Sequence, residues 1–410
     1  MISTIALLAI GLQASADPMD SALIDGDKVH IFLPAILVSE GRHLSSSWSS
    51  DGMYLLVASE RVVVAPKEYK EGWEGKKLAP REVDLELHSY STRTGTAKRL
   101  YHTRKPFGSR AHTVFFPSTD IAIVNLSVSD GAQTEIVRVT CGSSKAEVID
   151  KPTTLTYISI DPGGRLVGVT DRQTWVTFVG RDGKLYPKQQ LPTEGAVAWD
   201  SNNAPLLVTL QGVSYAINPS GGFEPTDRRP ARVQVAEVHD TRLATSSPSM
   251  AVEGSATRLE VVMASVRQTE RWIPIAYDAR NDEVSPASNG VFYVSNNLNM
   301  VRPVIEVSKA AFDALLAQAE RNKIMSQVAQ IGRALQMYAS DNNDAFPSEE
   351  QLASGAVDPY LQSPSMLSGF VYNGIKGSAP PSEMEVGYKL CPGGRAVLFQ
   401  DGHVIFVPGR

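Results

Sequence analysis

A bulky apolar residue, a short polar turn and an apolar run recur four times in the first part of the chain. In each copy the apolar run begins six residues after the bulky residue. The copies begin at Trp48, Phe115, Ile160 and Trp199. Ser, Pro, Asp and Gly fill the turns, and these residues favour turn conformations between strand-like runs. The pattern therefore predicts four β-hairpins.

The spacing of the copies indicates a repeat architecture. Intervals of 67, 45 and 39 residues separate them, and the last two fit a repeat of about 40 to 45 residues. The longer first interval contains a polar insertion, Glu68 to Glu82, which we interpret as a surface loop. A further strand and turn follow each copy, which gives the four strands of a propeller blade.

Two weaker copies and one apolar run extend this repeat. The weaker copies lie around Ser247-Pro248-Ser249 and over Val291 to Val301. The run Val29 to Val38 is predicted to supply a strand that closes the last blade. We therefore predict a β-propeller over residues 17–305, with six blades favoured and seven as the alternative.

The first copy carries a resemblance to known propellers. Its sequence, WSSDGMYLLVAS, contains Trp48, Asp51 and Gly52 and resembles the W-S-P-D-G pattern of periplasmic TolB-like and WD40-like propellers, with Ser50 in place of proline. Trp199 begins the fourth copy. The resemblance covers roughly residues 30 to 305 by repetition. It implies binding at a central channel or top face and no particular reaction.

From Ser308 the periodicity becomes helical. Lys309 to Ser340 contains no Pro and one Gly, and Ser308 is a suitable N-cap. Its apolar residues step by four and three positions, which places them on one side of a helix. These residues are Ile324, Val328, Ile331, Leu335 and Tyr338. We predict a helix over about residues 309–340 that packs on a sheet.

Three short antiparallel strands are predicted near the end of the chain. They are Glu385 to Leu390, Arg395 to Phe399 and His403 to Val407. Asp401-Gly402 lies between the last two and is predicted to be a two-residue hairpin turn, because Gly accepts positive φ. Cys391, Asp401 and His403 could instead form a metal or catalytic set, but the turn is the favoured interpretation. The predicted fold class is therefore mainly β with a C-terminal α+β module.

The C-terminal residues carry a second resemblance. The segments QIGRALQMYASDNNDAFP, DPYL and GGRAVLFQDGHVIFV resemble the prepilin-type family named for a His, nine residues and then Asp-Gly. The resemblance covers about residues 310 to 410 and implies a pilin-like or pseudopilin-like domain over residues 306–410. Cys391 stands where the family has His, which puts any role of that His in doubt. The apolar half-helix that anchors such proteins in a membrane is missing, since Val301 to Ala319 is too polar.

Composition and the N-terminal sequence limit the kinds of partner and the cellular compartment that we expect. A net charge of −5 without a long Lys/Arg run argues against nucleic acid. Residues 1–16 contain the short apolar run Ile5 to Leu12 and end in Ala14-Ser15-Ala16, which predicts a cleaved signal peptide and an extracytoplasmic location, periplasmic or secreted. No apolar segment reaches the length of about 20 residues that spans a bilayer.

Candidate chemistry is sparse. The two cysteines, Cys141 and Cys391, have no zinc-site spacing, and two separate thiols are favoured over one long-range disulfide. Hydrolase, metalloprotease and P-loop motifs are missing from the sequence. Asp341, Asn343 and Asp344 are weak Ca²⁺ candidates, for which a helix cap is the favoured alternative. We otherwise expect no cofactor.

Seven histidines are scattered along the chain, and no pair has the helical spacing of a metal site. They are His30, His43, His88, His102, His112, His239 and His403. The sequence therefore favours an exported, non-enzymatic protein that binds another protein or an envelope polymer. The alternative is a propeller hydrolase or lyase whose active site faces the channel. A cluster of carboxylates and histidines there would distinguish the two.

Overall fold

The computed structural model describes residues 22–64, 82–106, 109–128, 133–231, 243–246, 249–251, 258–266, 273–277, 284–287, 289–375 and 380–409. The predicted signal peptide, most of the predicted insertion Glu68 to Glu82 and the Ser247-Pro248 turn lie outside these residues. The chain divides into two compact units. One contains Met1–Asp25 and His30–Glu306, and the other contains Gly26–Val29 and Val307–Arg410.

Strands dominate the chain up to residue 308. In chain order they are β1 (Ala22–Asp25), β2 (Lys28–Phe32), β3 (Ile36–Glu40), β4 (Arg42–Trp48), β5 (Tyr54–Val64), β6 (Glu82–Ser91), β7 (Thr96–Pro106), β8 (Ser109–Phe115), β9 (Ile121–Val128), β10 (Glu135–Thr140), β11 (Lys145–Asp150), β12 (Tyr157–Ile160) and β13 (Leu166–Thr170). The series continues with β14 (Trp175–Gly180), β15 (Gln189–Gln190), β16 (Gly195–Trp199), β17 (Pro205–Thr209), β18 (Ser214–Ile217), β19 (Phe223–Thr226), β20 (Leu243–Ser246), β21 (Ser249–Ala251), β22 (Arg258–Val266), β23 (Ile273–Tyr277), β24 (Ser285–Ala287), β25 (Gly290–Ser295) and β26 (Leu298–Ser308).

Four-stranded antiparallel sheets repeat through this unit. Four of them join their strands in sequential order, as β4–β7, β8–β11, β12–β15 and β16–β19. A fifth contains β20 to β23, with β22 pairing with the other three strands. Repeated four-stranded sheets of this kind fit a β-propeller.

The predicted hairpins are confirmed as the first two strands of four sheets. Register pairs join Trp48 to Leu55, Phe115 to Ala122, Ile160 to Val167 and Trp199 to Pro205. One residue with left-handed backbone lies in each turn: Gly52 (φ 65°), Ser118 (φ 56°), Gly164 (φ 67°) and Asn203 (φ 60°). Gly adopts this conformation without steric cost, and Asn tolerates it better than most residues do.

Apolar cores lie between consecutive sheets. Ile123 and Val124 are successive residues of β9 and join different cores, because side chains alternate between the two sides of a strand. Val124 packs with Leu85 of the preceding sheet, and Ile123 packs with Val167 of the following sheet. The β8–β11 sheet is therefore covered on both sides, as a propeller blade requires.

The earliest and latest strands of this unit form one sheet. Its order is β1-β2-β26-β25-β24, and β3 also pairs with β26. Asn299 of β26 reinforces the pairing, since its side-chain Nδ2 donates to the carbonyl oxygens of Ser39, at 3.3 Å, and Gly41, at 3.1 Å. Strands β2 and β3 overlap the run Val29 to Val38, and both pair with the late strand β26.

A long helix begins the second unit. Helix α1 (Lys309–Asp341) is capped by Ser308, whose hydroxyl accepts a hydrogen bond from the Ala311 backbone N–H at 3.2 Å. After it come α2 (Glu349–Ala353) and 3₁₀ turns at Asp358–Tyr360 and Pro364–Leu367. A four-stranded antiparallel sheet follows in sequential order: β27 (Phe370–Tyr372), β28 (Glu385–Cys391), β29 (Gly394–Phe399) and β30 (Val404–Pro408). Among the described helices, none combines the length and the apolar character needed to cross a membrane.

Side chains of α1 and the C-terminal sheet share one core. Val328, Ile331 and Leu335 of the helix pack with Ala396 and Leu398 of β29. The residues of the predicted apolar stripe are all buried. Gly332 allows the close approach, because a Cβ added there would lie 2.6 Å from the Leu398 Cδ1 atom.

The last hairpin differs from the predicted two-residue turn. The Gly402 N–H donates to the Phe399 carbonyl at 2.9 Å, and the Phe399 N–H donates to the His403 carbonyl at 3.0 Å. The loop therefore has three residues, with Asp401 inside a turn and Gly402 in the left-handed position that follows it (φ 88°). The third loop residue is compatible with the alternation of side chains along the two strands that flank the loop.

Candidate functional site

The four repeated turns form a continuous edge of the first unit, which we call the turn edge. The Ser118 N–H donates to the Ser50 hydroxyl at 2.6 Å, which joins the first turn to the second. A Cβ added at Gly164 would lie 2.9 Å from the Pro117 Cδ atom, so the second and third turns are also adjacent. A Cβ added at Gly163 would lie 3.0 Å from the Asn203 side-chain nitrogen, which places the fourth turn next to the third.

A cavity of about 530 Å³ opens beside the third and fourth turns, and we call it the Arg165 cavity. The β12–β15 sheet contributes Arg165, Arg181, Asp182 and Tyr186, and the β16–β19 sheet contributes Asn202 and Asn203. Ligand pockets commonly have volumes of about 300 to 1,000 Å³. The cavity is therefore large enough for a small organic ligand.

Arg165 is held by a buried carboxylate. Its Nε atom lies 3.3 Å from Oδ2 of Asp161, whose side chain is fully buried. Asp161 also accepts backbone hydrogen bonds from Gly163 at 2.7 Å and from Arg165 at 3.2 Å. The Arg165 side chain is 68% exposed, so part of its guanidinium group faces solvent. The third turn thus holds the Nε side of the Arg165 guanidinium group. The exposed part of this group can still donate hydrogen bonds.

The fourth turn positions the two amides in the same way. Asp200 is buried, and its Oδ1 atom accepts hydrogen bonds from the backbone N–H groups of Asn202 at 2.8 Å and Ala204 at 2.9 Å. Burial opposes ionisation of Asp200, but these bonds and the Arg228 guanidinium outweigh it and lower the pKa of its carboxyl. The ionised Asp200 therefore stabilises the turn that presents the amides.

A second cavity, of about 380 Å³, lies between the β4–β7 and β8–β11 sheets. Its lining includes Tyr54, Arg93, Lys98 and Cys141 together with several Ser and Thr residues. Cys141 is buried, and burial raises the pKa of its thiol to about 12. The thiol is therefore protonated at neutral pH and is a poor nucleophile.

Strand β6 carries two buried carboxylates on one side. Asp84 lies 3.0 Å from Nε2 of His102 and 3.2 Å from Nε of Arg104, and Glu86 lies 3.0 Å from a guanidinium nitrogen of Arg99. Burial opposes ionisation of Asp84, but the bonds from His102 and Arg104 outweigh it and lower the pKa of its carboxyl. Because Asp84 is ionised and paired at neutral pH, it stabilises the sheet and cannot act there as a proton donor.

Glu135 begins β10 and lies at the centre of another cluster of ionic side chains. It accepts a hydrogen bond from the Tyr101 hydroxyl at 2.9 Å and lies near the ammonium groups of Lys151, at 3.2 Å, and Lys105, at 3.5 Å. Burial opposes ionisation, but Tyr101 and the two lysines outweigh it and lower the pKa of the Glu135 carboxyl. Burial and the bond to Glu135 raise the pKa of Tyr101 to about 12.

The first strand of each sheet bears on the hydrolase or lyase alternative. Strands β4, β8, β12 and β16 contain no Asp or Glu. Apart from Tyr157, their ionisable side chains are Arg42, His43, Arg110 and His112, and burial lowers the pKa of His112. A site that uses a carboxylate as acid, base or metal ligand would therefore draw its Asp or Glu from other strands or from loops.

The predicted propeller motif residues support the turns. Oδ1 of Asp51 accepts hydrogen bonds from the Ser49 hydroxyl at 2.6 Å and the Met53 N–H at 2.9 Å. Gly52 occupies the left-handed position. The indole of Trp199 donates to the Ser159 hydroxyl at 2.9 Å. These residues join neighbouring elements, and none lines the Arg165 cavity.

The weak Ca²⁺ candidates lie at the end of α1. Asp341 accepts a hydrogen bond from the Tyr360 hydroxyl at 2.7 Å. Asn343 and Asp344 have left-handed backbone (φ 55° and 60°), and the Asp344 N–H donates to the Ala339 carbonyl at 2.8 Å. Nowhere in the described ranges do three or more His, Cys, Asp or Glu side chains gather as a metal site.

The Cys391 corner contains two separate features. Cys391 has a free thiol, as does Cys141, and its side chain packs with the helix–sheet core. Asp401 contacts His403 instead, since its Oδ1 atom lies 2.5 Å from the His403 Nδ1 atom. The His403 ring also stacks on Phe399, with ring centroids 4.4 Å apart. The Asp401 and His403 contacts are therefore local to the hairpin.

Comparisons with known proteins give no family assignment. Protein-family models provide no match, and curated proteins provide no significant match. The β-propeller domain of the trilobed protease from Pyrococcus furiosus, which has an open velcro topology, is a similar solved structure, at 5% identity and a TM-score of 0.32. The match covers 63% of this chain and 78% of that chain.

Two further solved structures are similar. The Dos1 propeller is 10% identical, with a TM-score of 0.30, over 64% of this chain and 67% of that chain. An oligogalacturonate lyase from Vibrio parahaemolyticus is 11% identical, with a TM-score of 0.27, over 69% of this chain and 96% of that chain. Similarities at this level carry no argument about activity.

Sequence reasoning missed the residues of the Arg165 cavity. Arg165 follows Gly164 directly, and Arg181 precedes Asp182-Gly183, so both appear as ordinary turn neighbours. The available signal was one basic residue beside each of two successive turns. This signal indicates a candidate site only when the neighbouring hairpins are known to meet.

Proposed function

We propose that the chain is an exported, non-enzymatic binding protein. In this proposal the first unit is a six-bladed propeller that binds a protein or an envelope polymer at the turn edge. Its six sheets are the five groups from β4 to β23 and the sheet that unites β1–β3 with β24–β26. The second unit is a pilin-like module without a membrane half-helix, which would connect the propeller to an envelope assembly.

The observation that carries the binding proposal is the Arg165 cavity. It is open, presents several polar side chains, and is built on turns whose buried Asp161 and Asp200 carboxylates fix the local backbone. Preformed polar groups in a concave site favour ligand binding, because little ordering is needed when the ligand arrives.

The resemblance of the last hundred residues supports the second part of the proposal. The order of elements, one long helix, short turns and an antiparallel sheet that ends in the Asp-Gly hairpin, is compatible with a pilin-like domain. The polar sequence from Val301 to Ala319 favours a role other than membrane anchoring. The proposed export rests on the sequence of residues 1–16.

The test is capture of a partner from cell-envelope extract by the purified chain. Wild-type protein should retain a partner that the Asn203→Gly variant retains at least tenfold less, because Gly preserves the positive φ but removes the amide. Glu224→Gln, an exposed change on β19, should capture as the wild type does. Equal capture by the wild type and both variants would contradict binding at the turn edge.

Two further measurements test the proposed export and the proposed lack of enzymatic activity. N-terminal sequencing of protein recovered from the envelope fraction should give a chain that starts after Ala16, and an uncleaved cytoplasmic chain would contradict export. The captured polymer should be recovered at unchanged length. Its cleavage by the wild type would instead support the hydrolase or lyase alternative.

A further inference from the structure

We propose that the Arg165 cavity binds an acidic saccharide, a sugar chain that carries carboxylate groups. This inference rests on the proposed binding function and names the class of ligand. The shape of the site, its charge and its hydrogen-bonding groups each contribute to the argument.

The charge of the lining favours an anion. Arg165 and Arg181 are both exposed, and Asp182 is the one carboxylate among the lining residues. Oδ1 of Asp182 is already used by the Lys184 backbone N–H, at 3.0 Å. Lys184 also adds a cation close by, since its Nζ atom lies 4.8 Å from the centre of the Tyr186 ring. Arg165, Arg181 and Lys184 are thus partly balanced by Asp182 and the buried Asp161, which leaves an excess of one positive charge.

Guanidinium groups suit a carboxylate in particular. Their planar donors match two oxygen atoms at once, which gives both energy and orientation. Asp161 holds Arg165 from its Nε side, so its terminal nitrogens remain for a ligand. Arg181 is placed by its backbone, whose N–H donates to the Arg165 carbonyl at 3.0 Å. The two cations therefore belong to adjoining chain segments with fixed backbones.

The remaining lining groups suit a sugar rather than a small inorganic ion. The amides of Asn202 and Asn203 each supply both donors and an acceptor, which is what hydroxyl groups require. Tyr186 supplies an aromatic ring and a phenol hydroxyl. A cavity of about 530 Å³ is also much larger than an inorganic anion needs. Hydroxyl-rich rings that carry carboxylates satisfy all of these groups together.

The experiment compares two ligands that differ only in charge and oxidation level. The probes are cellotriose and the β-(1→4)-linked trimer of glucuronic acid, which has a carboxylate where each glucose has CH₂OH. Isothermal titration calorimetry should show at least tenfold tighter binding of the acidic trimer. Glucose 6-phosphate serves as a third probe, and preferential binding of this phosphate would overturn the assignment to a carboxylate.

Variants locate the binding site. Arg181→Ala should weaken binding of the acidic trimer by about tenfold to a hundredfold, as expected for a lost hydrogen bond to a charged group. Arg165→Ala should do the same, but it also leaves buried Asp161 without its cation, so Arg181→Ala is the decisive variant. Arg229→Ala, an exposed arginine outside the cavity, should bind as the wild type does.

The outcomes separate this inference from the proposed function. Equal binding of the two trisaccharides, or unchanged binding by Arg181→Ala, would overturn the acidic-saccharide assignment. If neither trisaccharide binds while envelope capture still depends on Asn203, the assignment fails and the proposed function stands. If capture also fails, both are wrong.

Discussion

The indole Nε1 of Trp48 donates a hydrogen bond to the backbone carbonyl of Ser285, 237 residues further along the chain, at 3.2 Å. Trp48 ends β4 and Ser285 begins β24, so the bond joins the first sequential sheet to the sheet that contains both early and late strands. Trp48 is also 4% exposed and packs with Phe292 and Val301 of that sheet. One side chain thus connects distant parts of the sequence by packing and by a polar contact.

Replacing Trp48 with Phe should lower the free energy of unfolding by about 1 kcal/mol from the lost hydrogen bond, plus a smaller packing loss. Replacing it with Ala should cost about 3 to 5 kcal/mol, because a cavity remains. Urea unfolding followed by far-UV circular dichroism measures both. Trp199→Phe, which removes the bond to Ser159, is the matched control and should resemble Trp48→Phe. Wild-type stability of Trp48→Ala would show that this contact does not hold the sheets together.

Asp84→Asn should make stability less dependent on acid. The pKa of Asp84 is lowered in the folded state, so its ionised form contributes stability above about pH 3.9, the value in an unfolded chain. That contribution is lost as the pH falls through the lower folded value. At pH 7 the variant should be less stable by roughly 1 to 3 kcal/mol, as for a lost hydrogen bond to a charged group.

The difference between wild type and Asp84→Asn should therefore shrink on acidification from pH 5 towards pH 2. Thermal unfolding at a series of pH values measures it. Asp227→Asn changes an exposed carboxyl and is the control, with an expected profile close to that of the wild type. A difference that stays constant with pH would mean that Asp84 contributes through packing rather than through its charge.

Gly332→Ala should destabilise the second unit although Ala is the better helix former. The gain in helix propensity is about 1 kcal/mol, but the new methyl group would lie 2.6 Å from the Leu398 Cδ1 atom. Leu398 is buried, and overpacking of this kind costs about 1 to 3 kcal/mol. The double variant with Leu398→Val should lose less stability than the sum of the losses of the two single variants. Additive effects in this double-mutant cycle would contradict direct contact.

Gly402→Ala should destabilise the last hairpin more than Gly369→Ala does. Both glycines have positive φ, 88° and 73°, where an L-residue pays about 1 to 2 kcal/mol. A Cβ at Gly402 would also lie 2.6 Å from the Gln336 Nε2 atom, whereas a Cβ at Gly369 would lie 3.8 Å from its nearest contact, the Lys389 Cε atom. Differential scanning calorimetry should rank wild type above Gly369→Ala and Gly369→Ala above Gly402→Ala. The reverse order would mean that Gln336 moves aside without cost.

The sequence predicted features whose information is local. The four hairpins follow from residues within seven positions of Trp48, Phe115, Ile160 and Trp199, and the apolar stripe of α1 follows from its period. The three-residue loop at Asp401-Gly402 was missed, because Asp-Gly fits both a two-residue turn and a turn followed by a left-handed Gly. The choice between them depends on how the strands pair.

The candidate site depends on information that is not local. The Arg165 cavity exists because hairpins of two successive sheets meet. The sequence of either hairpin alone does not predict this contact. Asp84, Glu86 and His88 occupy alternate positions of β6, which places their side chains on one side of the strand. The pairing of Asp84 and Glu86 with Arg61, Arg99 and Arg104 depends on β5 and β7, the two strands that flank β6.

The sheet that pairs β2 and β3 with β26 has a consequence for synthesis of the chain. Asn299 bonds to Ser39 across 260 residues, so the first strands emerge from the ribosome long before their partner does. At about 5 to 20 residues per second, that delay is roughly 13 to 50 s. During this time the early strands present unpaired backbone groups, which are templates for association with other chains. A folding helper that shields nascent strands would thus act on the first 40 residues before any other part of the protein.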